Sequence, residues 1–183
     1  MAVATRQSEK ELIEAAQQGD AGAFGSIYDL FADRVYRHIL YRIGSPSDAE
    51  DLMQQTFMKA WQAIGRYRIS EVPLIAWLLT IAHNSVVSYF RGKRDSVPLN
   101  IEMSPPDGAG EPYDALERRY DQAIVRRAVA ALPAEQQMVV SMHFLEELDY
   151  TDIARALGKT ENNIRVIAHR GLKRMRAAME GRA

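Results

Sequence analysis

Residues 150–167 read YTDIARALGKTENNIRVI, two short helical patterns on either side of a glycine. Ala154 is small enough to let two helices cross closely, Gly158 can adopt the positive φ of a tight turn, and Thr160 can cap the next helix. Four apolar residues recur at helical spacing and are expected to face inward: Ile153, Leu157, Ile164 and Ile167. This arrangement predicts a helix-turn-helix.

The outer face of the helix after the turn carries side chains that suit a DNA groove. Arginine pairs with guanine edges, asparagine with adenine edges, and lysine with phosphates. Seven basic residues lie between 159 and 183, which favours DNA binding over the alternative of a plain amphipathic helix with a basic face. The predicted DNA-binding residues are Thr160, Asn162, Asn163, Arg165, Val166, His169, Arg170 and Lys173. No metal site is expected at His169, since no acidic or histidine partner lies four residues away.

The formal net charge of −1 conceals an uneven distribution along the chain. Residues 66–94 carry five basic and one acidic side chain, and residues 159–183 carry seven and two. By contrast, residues 1–65 carry six basic and nine acidic side chains, and residues 95–158 carry five and twelve. Two separated basic blocks indicate two contact zones for a polyanion, with two solvated helix ends as the alternative.

Helix signals dominate the N-terminal half, and strand signals are weak. A first helix precedes Asp20, which can cap a longer helix that Gly44 ends. Ser45 and Pro46 form an N-cap followed by proline at the first helical position, so a third helix begins there. A charge-poor fourth helix is predicted over about residues 73–91. We expect these four helices to enclose a core of their own.

Prolines and glycines interrupt the helical periodicity between residues 92 and 112, which predicts a linker. The chain is therefore predicted to be all-α, with two helical domains at 1–94 and 115–183 and a flexible linker at 95–114. In the second domain, helices are expected at about 113–131, 133–146, 150–157 and 160–179.

Composition excludes several classes of protein. The chain has no cysteine, so disulfides, zinc ribbons and cysteine nucleophiles are excluded and a cytoplasmic location is expected. The first ten residues lack the apolar region of a secretory signal. Residues 72–90 carry no formal charge, but Thr80, His83 and Asn84 would sit in hydrocarbon, so we expect an amphipathic helix and no membrane insertion. No cofactor is expected.

Residues 48–61 read DAEDLMQQTFMKAW. Glu50 and Asp51 are not a catalytic carboxylate pair, because adjacent side chains on a helix diverge by about 100°. Acids in a first turn also favour the helix dipole, which is the simplest explanation for them. The residues expected to pack inward are Leu52, Met53, Phe57, Ala60, Trp61 and Ile64.

Together with WLLTIAHN at 77–84 and the region 132–176, this segment resembles the extracytoplasmic-function sigma factors in order and spacing. The resemblance covers roughly residues 20–94 and 115–178. It implies a non-enzymatic subunit that carries RNA polymerase to promoters and helps to open them, since catalysis would belong to the polymerase. The implied partners are core RNA polymerase, promoter DNA and an anti-sigma factor.

The resemblance also implies three groups of site residues. The polymerase-binding face comprises Asp48, Asp51, Gln54, Gln55 and Met58. The residues for capturing and melting the minus-10 element are Arg66, Tyr67, Arg68, Trp77, Asn84, Arg91 and Arg94. The eight predicted DNA-binding residues from Thr160 to Lys173 would read the minus-35 element.

Strand opening needs a basic surface and a place for an unstacked base, which the basic block at residues 66–94 supplies. Trp77 is either a wedge against a base pair or a core residue, and its helical spacing favours burial.

Two other functions are alternatives to a sigma factor. An ordinary helix-turn-helix regulator with a helical sensing or dimerisation domain would bind a palindromic duplex tightly without polymerase. A helical enzyme is disfavoured, because the sequence shows no clustered metal ligands, no phosphate-binding loop and no nucleophile beside a base.

Overall fold

The computed structural model describes residues 2–69, 71–94, 124–125 and 127–180. All regular structure in these segments is helical, which confirms the all-α prediction. The predicted linker, 95–114, lies outside the described residues. The predicted helix over 113–131 falls inside them only at 124–125 and 127–131, which are helical except for Ala131 in a turn. The domain boundaries therefore stay a prediction.

Four helices form the N-terminal lobe, defined here as residues 2–94. They are α1 (Ala2–Gln17), α2 (Ala21–Ile43), α3 (Pro46–Ala63) and α4 (Leu74–Arg94), with a 3-10 turn at Ile64–Arg66 after α3. Helix α2 packs against the other three, and α3 packs against α4. Ile27, Val35 and Leu78 have no exposed surface, so these helices bury a well-packed apolar core.

Local chemistry sets the helix boundaries as predicted. The Asp20 carboxylate accepts hydrogen bonds from two backbone N–H groups in the first turn of α2. Gly44 ends that helix with a φ of 75°, and its N–H donates to the Leu40 carbonyl. Ser45 then caps α3, which begins at Pro46.

The C-terminal lobe, defined here as residues 127–180, begins with the helical residues 127–130 and continues with three further helices. They are α5 (Ala134–Val140), α6 (Tyr150–Leu157) and α7 (Glu161–Glu180). The predicted continuation of α5 to residue 146 is instead one π-helical turn, Ser141–Leu145, closed by a hydrogen bond of 3.2 Å from the Glu146 N–H to the Ser141 carbonyl. The wider turn exposes the side chains of Phe144 and Leu145.

The two lobes touch in this structure. Helix α4 packs against α6, and buried residues from both lobes form one continuous cluster. Across the same boundary, Arg34 Nε donates to Glu146 Oε2 at 2.6 Å. The outer face of α7 stays exposed.

Candidate nucleic-acid interface

The helix-turn-helix forms as its sequence predicts. Gly158 adopts a φ of 63°, and its N–H donates to the carbonyls of Ala154 and Arg155. The Thr160 hydroxyl accepts a hydrogen bond of 3.3 Å from the Asn163 N–H at the start of α7. Ile153, Ile164 and Ile167 are buried, whereas Leu157 is only partly buried.

All eight residues predicted to bind the minus-35 element are exposed on or directly before α7. The opposite face of the helix is buried and contains Ile164, Ile167, Ala168 and Gly171. Within the described part of the chain, the side chains of His169, Arg170 and Lys173 make no hydrogen bond or ion pair, so their nitrogen atoms remain open to a ligand. Two other cations are tied to α5, since Lys159 pairs with Glu135 at 2.8 Å and Arg174 donates to Gln136 at 3.2 Å.

Arg165 differs from its neighbours on α7 because its guanidinium is already held. Its Nε and Nη2 both donate to Glu161 Oε1, at 3.1 and 2.5 Å. Its guanidinium carbon lies 5.1 Å from the centre of the Tyr150 ring. The hydrogen bonds from Arg165 and then from Thr151 lower the pKa of Glu161. Sequence reasoning missed Glu161, although the spacing of four residues to Arg165 was a visible signal.

In the N-terminal lobe, the loop before α4 presents Arg66 and Arg68 to solvent. Tyr67 lies between them in sequence but is 7% exposed, and its hydroxyl donates to the Val72 carbonyl at 2.5 Å. In this conformation the Tyr67 ring is not available to an unstacked base, and its role at the minus-10 element stays a prediction. Burial is the main reason that its pKa is raised above the ordinary value of a tyrosine.

The remaining minus-10 candidates lie on α4. Asn84 and Arg91 are exposed, and the side chain of Arg94 lies outside the described residues. Trp77 is half-buried, with its ring 5.1 Å from that of Tyr67. Since Trp77 packs against the core, the structure favours burial over a freely exposed wedge.

A buried polar cluster lies behind this face, where α2 meets α4. Arg42 Nη1 and His83 Nδ1, the neighbour of Asn84 in sequence, are 2.6 Å apart. His38 is fully buried, and desolvation, followed by the charge of Arg42, lowers its pKa to about 3. Desolvation and Arg42 likewise lower the pKa of His83 to about 4. Both histidines are therefore neutral near pH 7, and the His83 ring can accept the hydrogen bond from Arg42 that links α4 to α2.

The predicted polymerase-binding face lies on α3. Asp51, Gln54, Gln55 and Met58 are exposed, and Met58 keeps 64% of its surface. Asp48 is less accessible, because it accepts a hydrogen bond of 2.5 Å from the Tyr89 hydroxyl.

Trp61, which was expected to pack inward, is 36% exposed, and its ring centre lies 5.0 Å from that of Phe24. It borders an apolar groove between α2 and α3 that also includes Tyr28, Phe57 and Met58.

Two other kinds of site, a membrane span and a metal centre, are absent from the described residues. No described helix combines the length and apolar character needed to cross a bilayer. No three histidine, cysteine or acidic side chains in the described segments come together as metal ligands.

Family comparisons account for both lobes. Residues 27–95 match the model described as Sigma-70 region 2, and residues 122–175 match Sigma-70, region 4. The first match contains α3, α4 and most of α2, and the second contains the whole helix-turn-helix. Together they cover about two thirds of the chain.

Curated relatives carry the same two regions. The chain is 35% identical over 165 residues to the ECF RNA polymerase sigma factor BldN of Streptomyces coelicolor, covering 89% of this chain and 62% of that protein. It thus spans less than two thirds of the length of BldN. It is 24% identical over 177 residues to SigW of Bacillus subtilis, also an ECF RNA polymerase sigma factor, covering 91% of this chain and 94% of SigW.

Solved structures show the same fold. CnrH, in complex with the cytosolic domain of CnrY, superimposes with a TM-score of 0.72 at 18% identity, covering 96% of this chain and 99% of CnrH. The sigma factor RpoE of Bartonella quintana, in complex with the anti-sigma factor NepR, gives 0.68 at 23% identity, covering 86% and 96%. Both sigma-70 regions are matched in order, and relatives named as ECF RNA polymerase sigma factors align with most of this chain. The chain therefore belongs to the extracytoplasmic-function branch of the sigma-70 family.

Proposed function

We propose that this chain binds core RNA polymerase, recognises the minus-35 and minus-10 elements of promoters, and promotes melting of the DNA for transcription initiation. The observation that carries the proposal is the pair of exposed basic surfaces on separate lobes, one on α7 and one around Arg66, Arg68 and Arg91. Cationic side chains that face solvent attract phosphates, and two such surfaces on one chain suit two separate promoter elements. The chain itself would be non-enzymatic and would act in the cytoplasm.

On α7, Arg165 and the asparagines at 162 and 163 would contact base edges, with Arg170, Lys173 and His169 along the phosphate backbone. Thr160 and Val166 border the same surface. On the N-terminal lobe, Arg66, Arg68, Arg91 and Arg94 would follow a displaced strand, with Asn84 beside it. Tyr67 and Trp77 would support this surface from beneath rather than stack on a base.

The polymerase would bind α3 through Asp51, Gln54, Gln55 and Met58, with Asp48 at the edge. An exposed acid, two amides and a thioether beside an apolar groove provide both an apolar anchor and a polar rim, as protein interfaces require. An anti-sigma factor is a further proposed partner. RpoE, which shares the fold, was solved with the anti-sigma factor NepR.

The test is a pull-down with core RNA polymerase followed by run-off transcription on genomic fragments. Addition of the protein should produce transcripts from a defined set of promoters that core polymerase alone does not produce. Failure to bind core at micromolar concentration would refute the proposal. Tight binding to a palindromic duplex without polymerase would instead support an ordinary helix-turn-helix regulator.

A double variant then tests the proposed use of α7. Arg165→Ala with Arg170→Ala removes two exposed cations and should weaken upstream promoter binding by at least about tenfold and lower its salt dependence. Core binding should be unchanged, since α3 is untouched. Equal loss of both activities with the fold intact would contradict the separate roles of the lobes.

A further inference from the structure

We infer that Glu161 is a positioning residue for promoter recognition: it holds the guanidinium of Arg165 in a fixed orientation before DNA is bound. The inference rests on the proposed function, in which α7 enters the groove of the upstream element. It assigns a role to an acidic residue in the middle of a surface that otherwise attracts a polyanion.

Both oxygens of the Glu161 carboxylate are in use. Oε1 accepts from two nitrogens of Arg165, and Oε2 accepts from the Thr151 hydroxyl at 2.9 Å. Thr151 belongs to α6, so the carboxylate links the recognition helix to the preceding helix. A side chain fixed at both oxygens cannot follow the guanidinium into a new rotamer without breaking the bond to Thr151.

An aromatic stack holds Arg165 from a second direction. Its guanidinium lies against the Tyr150 ring, and that ring also stacks on His143, with the centroids 4.0 Å apart and the planes at 26°. His143 Nδ1 is in turn 2.8 Å from the Leu148 carbonyl oxygen. The orientation of Arg165 is thus fixed by the body of the lobe as well as by its own helix.

The geometry leaves the part of the guanidinium that reads bases open. An arginine has five N–H donors, and a guanine edge accepts two of them at O6 and N7. The bonds to Glu161 use Nε and one hydrogen of Nη2. Both hydrogens of Nη1 and the second of Nη2 remain, and 60% of the Arg165 side chain is exposed. Ordering the side chain in advance reduces the entropy lost on binding and favours a base in one place over all others.

A merely structural role for Glu161 is the competing explanation. An acid in the first turn of a helix stabilises it through the dipole, whatever Arg165 does. A third possibility is direct contact between the carboxylate and a cytosine amino group. These explanations differ in whether the effect of removing Glu161 depends on Arg165, so a double-mutant cycle separates them.

The experiment uses the full chain assembled with core RNA polymerase. The probe is a pool of duplexes based on a promoter found by run-off transcription, with the upstream element randomised, and bound duplexes are sequenced to give the preference at each base pair. Glu161→Ala should reduce the preference at one base pair by about fivefold while total binding is maintained or increased, since a negative charge is removed from the DNA-facing surface. In an Arg165→Ala background, the same substitution should leave the preferences unchanged.

Two further variants separate positioning from stability. Glu161→Gln keeps an oxygen that can accept from the guanidinium, so it should recover part of the lost preference. Thr151→Val keeps the Glu161–Arg165 pair but frees it from α6, and an intermediate loss is expected. Thr151 is exposed, so this variant tests the inference even if Glu161→Ala impairs folding.

The outcomes are distinct. An unchanged base preference in folded Glu161→Ala and Thr151→Val would overturn the inference. So would a change caused by Glu161→Ala that persists without Arg165, because the carboxylate would then read DNA itself. If Arg165→Ala alone alters neither preference nor affinity, the proposed reading of the upstream element by this face of α7 is what fails.

Discussion

At the scale of single residues, burial of His38 is expected to make the stability of the N-terminal lobe depend on pH. Its side chain is fully buried, and neither ring nitrogen has a partner among the described residues. Because the pKa is lowered to about 3 in the folded protein, against 6.5 for an unperturbed histidine, the unfolded chain binds a proton that the folded chain excludes. Stability is therefore complete above about pH 6.5 and is lost as the pH falls towards the folded pKa.

Acid should accordingly unfold the N-terminal lobe early. Between pH 6.5 and 4, His38 should remove up to about 1.4 kcal/mol of unfolding free energy per pH unit, and His83 acts in the same direction. His38→Leu should flatten this slope and leave stability at pH 7 unchanged or higher, since the two unpaired ring nitrogens would be removed. Urea unfolding followed by tryptophan fluorescence measures this lobe alone, because both tryptophans, Trp61 and Trp77, belong to it. An unchanged slope in the variant would contradict the assignment.

Asp51 offers a residue-scale test of the polymerase-binding face. It is exposed on α3, and reversing its charge with Asp51→Arg should weaken core binding by about tenfold or more without affecting duplex binding by the C-terminal lobe. Glu50→Arg is the matched control, because the neighbouring exposed acid points about 100° away around the helix. Titration of labelled core polymerase with each variant provides the comparison. Equal losses for both would mean that net charge, rather than the face, matters.

At the scale of elements, α7 crosses α5 closely at Gly171. A Cβ atom at Gly171 would lie 2.7 Å from Val140 Cγ2, so the crossing depends on the absence of a side chain. Gly171→Ala should force the helices apart and destabilise this lobe by about 1–3 kcal/mol despite the better helix propensity of alanine.

Gly25→Ala provides the control for that substitution. A Cβ there meets nothing within 4 Å, so the change should stabilise α2 by up to about 1 kcal/mol. Thermal unfolding by circular dichroism measures both variants. A Gly171→Ala protein at least as stable as the wild type would show that the crossing can relax.

The elements also show what the sequence could predict. The caps at Asp20, Ser45 and Thr160 and the turn at Gly158 follow from short-range chemistry, so their positions were predicted correctly. The π turn after α5, the burial of Tyr67 and the partial exposure of Trp61 depend on contacts between distant segments, which periodicity cannot show. The role of Glu161 was missed for another reason, since an acid in a first turn has a simpler explanation.

At the scale of the whole molecule, the contact between the lobes is held partly by charge. The Glu146 side chain is 5% exposed and that of Arg34 is 33% exposed, so the pair is only partly screened by water. Burial raises the pKa of Glu146, and the bond from Arg34 opposes that rise. Without Arg34, the free-energy cost of burying the ionised carboxylate would be only weakly offset by other charges. We therefore expect Arg34 to help keep the lobes closed near neutral pH.

Arg34→Met should consequently open the molecule, increasing the separated population by about tenfold at pH 7. Spin labels at introduced cysteines, Gln62→Cys and Arg176→Cys, report the distance between the lobes without interference, because the chain has no cysteine of its own. Arg37→Met is the matched control, since it removes the exposed pair with Asp33 and a charge interaction with Glu146 that is weaker than that of Arg34, but leaves the hydrogen bond from Arg34 to Glu146 in place. Acidification should close the Arg34→Met protein again. Burial raises the pKa of Glu146, so protonation favours the closed form, and this effect is lost as the pH rises through the raised pKa.

Adding Glu146→Leu to Arg34→Met should also restore closure, because it removes the unpaired charge. If the distance distributions of Arg34→Met and Arg37→Met coincide at every pH, apolar packing between α4 and α6 alone holds the lobes together.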